Sequence, residues 1–180
     1  MIDRYRQSTP QRAAHWVGVL AIASVLACGG TVRAAETPAP LPPDAVVVGE
    51  AQAGGAQVYR CAVVPDGTFA WTLIGPKALL VGDDGTDFGT HSAGPMWTAV
   101  DGSSITADGA HPLEKVARPQ SVPALLLRVT GQTGTGVLSG VRFVRRADTE
   151  GGLPPPGGCD AAHTGAVTAR HYSAIYTFYK

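Results

Sequence analysis

The chain has 180 residues, 14 basic and 14 acidic, and is formally neutral. Four of the basic residues (Arg4, Arg6, Arg12, Arg33) but only one acid (Asp3) fall within the first 34 positions, so the remaining 146 residues carry 10 basic against 13 acidic side chains, a net of −3. That sign argues against a nucleic-acid partner, and that length makes one domain with a sizeable core rather than two.

Residues 1–34 read as a signal peptide. Three arginines precede an apolar run over residues 13–27 that is short for a bilayer span, and Val32-Arg33-Ala34 places small residues at the −3 and −1 positions of a cleavage site. An exported protein, secreted or periplasmic, is the expectation. A competing reading rests on Val25-Leu26-Ala27-Cys28, which approximates the motif at which bacterial lipoproteins are cut and acylated. Under that reading Cys28 is lipidated, and the lipid is the protein's sole contact with the envelope membrane.

Residues 35–44 (AETPAPLPPD) are expected to be an extended proline-rich spacer, followed by an all-β domain over residues 45–180. Cleavage after Ala34 removes one of three cysteines and leaves Cys61 and Cys159, which predicts a single disulfide in an oxidising compartment.

Along the domain the apolar pattern has period two, broken at short intervals by Gly and Pro. Strands are predicted at residues 46–48, 57–64, 69–74, 77–81, 96–100, 122–130, 137–146 and 172–178. Phe69, Trp71 and Leu73, and later Tyr172, Ala174, Tyr176 and Phe178, each present one face for a core. The chain has no Asn, so most left-handed turn positions fall to its 23 glycines, and no N-glycosylation site exists. An antiparallel β-sandwich or a small barrel follows, and the pattern does not separate the two.

Several motif-like stretches fail chemically. Gly131-Gln-Thr-Gly-Thr-Gly136 lacks the Gly-Lys-Ser/Thr ending of a phosphate loop and is read as a hairpin turn. Asp83, Asp84 and Asp87 do not have the spacing of a calcium loop. Ser92 lacks the elbow of a nucleophilic serine, and His91, His111, His163 and His171 never take up zinc spacing. Neither a metal nor a cofactor is implied. Arg142, Arg145 and Arg146 form the one basic cluster, read as solvated residues at a strand end.

The run 89–103, GTHSAGPMWTAVDGS, gathers His91, Trp97, Asp101 and Ser103. Its H-x-x-G-P-x-W and D-G-S elements resemble the bacterial and fungal family called domain of unknown function 3455. The resemblance extends to Gln57-Val-Tyr-Arg-Cys61, Trp71 and Pro76 upstream, and to Val122-Pro-Ala-Leu-Leu-Leu127, Arg146-Ala-Asp-Thr-Glu-Gly-Gly152, Cys159 and Tyr172-Ser-Ala-Ile-Tyr-Thr-Phe-Tyr179 downstream. Ser92, Ala124 and Arg145 depart from the family's usual aromatic, Trp and Gln. The family carries no assigned function, so it transfers no catalytic role.

Two classes of function remain. In the first, the domain is noncatalytic and binds a small molecule, a glycan or an envelope component, with Trp71 and Trp97 as candidate stacking surfaces. In the second it is an enzyme, such as a hydrolase, in which Asp101 orients His91 as a general base and Ser103 stands near. The first is favoured, because no complete catalytic constellation is present.

Overall fold

The computed structural model describes residues 41–180. The expected leader, Cys28 and spacer residues 35–40 lie outside the described residues. Within them the chain is all-β: β1 (Val47–Val63), β2 (Phe69–Gly82), β3 (Asp87–Ser92), β4 (Met96–Ala99), β5 (Ser104–Ala107), β6 (Glu114–Arg118), β7 (Ser121–Thr133), β8 (Phe143–Gly151) and β9 (Val167–Tyr179), with one short 3-10 turn at Ala161–His163.

All pairings are antiparallel, in the order β5-β4-β3-β2-β1-β9-β8-β7-β6, and β5 also pairs with β7. That extra pairing closes the sheet into a barrel, which decides between the two architectures the pattern allowed. β7 manages two neighbours on one edge, because its first half pairs with β6 and its second half with β5. β6 (EKVAR) therefore hangs outside the ring as an edge strand whose charges discourage further pairing.

The strands are longer than the sequence pattern suggests. β1 runs unbroken through Gly54-Gly55, where alternation is invisible because its inward residues Ala51, Ala53 and Gly55 are small. Their size answers to their neighbours. Ala51 lies opposite Tyr176 and Gly55 opposite Tyr172 on β9, and a Cβ at Gly55 would collide with Lys77 O and Ala78 of β2. β2 likewise joins the two expected segments through a bulge at Ile74, where Val58 faces Gly75 and Tyr59 faces Leu73.

One end of the barrel is sealed. Residues 137–142, expected in a strand, instead form a turn that drops Leu138 and Val141 into the core with Leu80, Val144 and Phe178. Gly134 and Gly136 of the preceding segment allow the turn's close approach to the β4–β5 hairpin; a Cβ at Gly134 would lie 2.7 Å from Gly102 O. Spacer residues 41–44 end in a turn, and Asp44 pairs with Arg142 at 2.9 Å. The Cys61–Cys159 disulfide links β1 to the loop before β9, closing a span of 98 residues.

Candidate functional site

His91 on β3 and Trp97 on β4 are direct cross-strand partners, both facing the lumen. Their rings stack with centroids 4.4 Å apart and planes 8° from parallel, and Tyr176 of β9 meets both edge-on. His91 Nδ1 lies 2.9 Å from Met96 O. A carbonyl only accepts, so Nδ1 carries the proton and Nε2 keeps its lone pair. Burial pulls the imidazole's pKa down to about 4; the Met96 hydrogen bond opposes this, and the positive charge of Arg146 reinforces it. At neutral pH the ring is uncharged.

Asp101 does not orient His91, contrary to the pairing raised from the sequence. It lies past the other end of β4, where its Oδ1 accepts from Ser103 Oγ at 2.6 Å and Ser103 N at 2.9 Å, and its Oδ2 accepts from Val137 N at 2.7 Å. Those hydrogen bonds, the Ser103 hydroxyl first, hold its pKa below the usual carboxylate value. Ser103 is buried and accepts from Leu138 N at 3.2 Å. Asp101 and Ser103 are the clasp of the sealed end. The reason is strand direction: the four residues of β4 carry the chain from one end of the barrel to the other.

The open end holds a cavity of about 550 Å³, lined by residues of β1, β2, β4, β5, β7, β8 and β9 together with His91. Leu73, Ile74, Pro76, Pro95, Leu125 and Leu127 make it largely apolar. Its polar groups are Gln57, His91, Thr106, Asp108, Thr130, Arg146 and Tyr176. Gln57 is 2% exposed and Tyr176 1%, and among the described residues the buried Gln57 Oε1 and Trp97 Nε1 have no hydrogen-bond partner. Burial raises the Tyr176 and Tyr172 pKa values, so both hydroxyls stay protonated. The Tyr176 hydroxyl lies near both Arg146 and Tyr172, and these neighbours oppose the effect of burial.

The arginine cluster is not one solvated face. Arg142 pairs with Asp44, and Arg145 lies 3.4 Å from Glu114 in a largely buried outer contact. Arg146 points inward, where its Nε and Nη2 donate to Pro123 O at 3.1 and 2.9 Å. Its sequence signal was parity with the buried Val144, two residues earlier on the same strand.

The two candidate tryptophans are not brought together. Trp97 is fully buried, with His91 stacked on it and Tyr176 and Phe178 meeting it in edge arrangements, whereas Trp71 sits beside the disulfide and donates to Gly157 O at 2.8 Å. Trp71 lines a shallow depression with residues 154–157. Asp84 closes the β2–β3 turn by accepting from Thr86 N and Oγ1, and among the described residues no group of three or more His, Cys, Asp and Glu is placed to hold a metal.

The family model described as a protein of unknown function (DUF3455) matches residues 42–180. No curated protein and no solved structure matches the chain.

Proposed function

We propose, for a chain that belongs to the DUF3455 family, that the protein is a noncatalytic binding protein whose barrel lumen receives a small molecule through the open end. The observation that carries this is the cavity of about 550 Å³, whose apolar walls carry a small set of polar residues, Gln57, His91, Arg146 and Tyr176 among them. Its volume falls in the range of small-molecule sites, and apolar walls with a few convergent polar groups are their usual composition. A glycan is a poorer fit, because Trp97 is fully buried with His91 stacked on it. That Asp101 bonds to Ser103 and Val137 N while His91 bonds to Met96 O supports the noncatalytic reading over the hydrolase alternative.

We place this binding protein outside the cytoplasm. The disulfide supports that location, and among the described residues no helix is long and apolar enough to cross a membrane. Mass spectrometry of the mature N-terminus distinguishes cleavage after Ala34 from acylation at Cys28.

Thermal melting with a panel of indole, 1-octanol, octanoate and chitobiose tests the lumen. Saturating ligand stabilises by mass action, so a binder raises the melting temperature by a few degrees. Leu125→Trp, which fills the cavity, is expected to abolish the shift. Equal shifts in both proteins, or no shift with any probe, would overturn the reading.

A further inference from the structure

We infer, on the reading that the lumen is a binding site, that its ligand is an amphipathic monocarboxylate whose carboxylate is held by Arg146 at the inner end of the cavity and whose apolar body lies toward the mouth. Arg146 is flanked across the sheet by Tyr176 on β9 and Leu125 on β7, and all three line the cavity. Among the described residues no carboxylate stands within ion-pairing distance of it. A guanidinium drawn into a barrel without a counter-charge is unfavourable, and an anion delivered to the lumen corrects that.

The number of charges follows from the groups present. Pro123 O accepts from Nε and Nη2, which orients the guanidinium. His91 is neutral and contributes no second positive charge. Asp108, the acid on the cavity wall, is turned into its own loop, where it accepts from Ala110 N, His111 N and His111 Nδ1, and its charge disfavours a polyanion. A single cation on the cavity wall suits the single charge of a carboxylate, which a guanidinium recognises by charge-assisted hydrogen bonds.

The rest of the ligand is read from the wall. Leu73 and Ile74 are 57% and 43% exposed at the mouth, with Leu125 and Leu127 deeper. The β-bulge at Ile74 re-aims the backbone at this rim. An apolar entrance leading to a single inner cation is complementary to a short-chain or aryl-alkyl acid.

Titration calorimetry of the intact protein with matched pairs tests the assignment: octanoate against 1-octanol, and 4-phenylbutyrate against 4-phenyl-1-butanol. Each acid is expected to bind about 10- to 100-fold more tightly than its alcohol, the range of a charge-assisted hydrogen bond. Arg146→Gln is expected to erase that preference, and Arg146→Lys to retain part of it. Equal affinity of acid and alcohol in the wild type, or a preference that survives Arg146→Gln, overturns the carboxylate assignment while leaving lumen binding intact if Leu125→Trp still abolishes both. Acids that fail to bind while a neutral probe does overturn it too, and failure of every probe removes both readings. Should Arg146→Gln not fold, the wild-type pairs and Arg146→Lys still decide.

Discussion

The imidazole of His91 lies flat on the indole of Trp97, 4.4 Å between centroids, with its Nδ1 hydrogen committed to Met96 O. The pair forms part of the cavity wall, and its geometry makes the barrel sensitive to acid.

Because burial lowers the His91 pKa from 6.5 to about 4, the unfolded chain takes up a proton at a higher pH than the folded one. The stability from this site is complete above pH 6.5 and falls away as the pH drops toward about 4, by ~3 kcal/mol over the interval. Urea unfolding at a series of pH values should show this loss. His91→Gln should be less stable at pH 7 and flatter between these values.

Ser103→Ala removes a buried hydroxyl that joins Asp101 to Leu138 N, and should cost about 1 to 2 kcal/mol. Gly136→Ala should also destabilise, since its Cβ would strike the Asp101 carboxylate. Both act at the sealed end. Probe-induced shifts in melting temperature should therefore match the wild type, whereas a catalytic Asp101 and Ser103 would make ligand response depend on them.

Replacing both Cys61 and Cys159 with Ala should lower stability by about 2 to 5 kcal/mol, because the bridge closes a 98-residue span. Chemical unfolding of the variant, and of the wild type with reductant, checks this. The two should agree.

Gly75 and Gly54 make a controlled pair. At Gly75 φ is +149° and a Cβ would lie 2.6 Å from Ala93 Cβ, so Gly75→Ala should cost about 1 to 3 kcal/mol and weaken probe binding at the adjoining mouth. At Gly54 nothing lies within 4 Å, and Gly54→Ala should be near neutral in melting and binding.

Period-two alternation, the punctuation by Gly and Pro, and two cysteines in the domain were enough to state an all-β fold with a Cys61–Cys159 bridge, because each depends on local pattern or on count. The same local reading passed over β3, β5 and β6, which are too short or too polar to show alternation and exist through their partners. It also placed residues 137–142 in a strand, since the apolar Val137, Leu138 and Val141 look alike whether they pair or plug.

The tertiary structure decided three matters. Pairing of β5 with β7 made the sheet a barrel rather than a sandwich, and pairing that skips over β6 leaves no mark in either strand. The direction of β4 carried Asp101 away from His91 despite nine intervening positions that a turn was free to fold back. Closure then gave Arg146 its meaning: strand parity puts it on the face of Val144, and only the ring turns that face into a lumen, where a cation with no carboxylate in ion-pairing distance among the described residues becomes the most distinctive chemical group of the cavity.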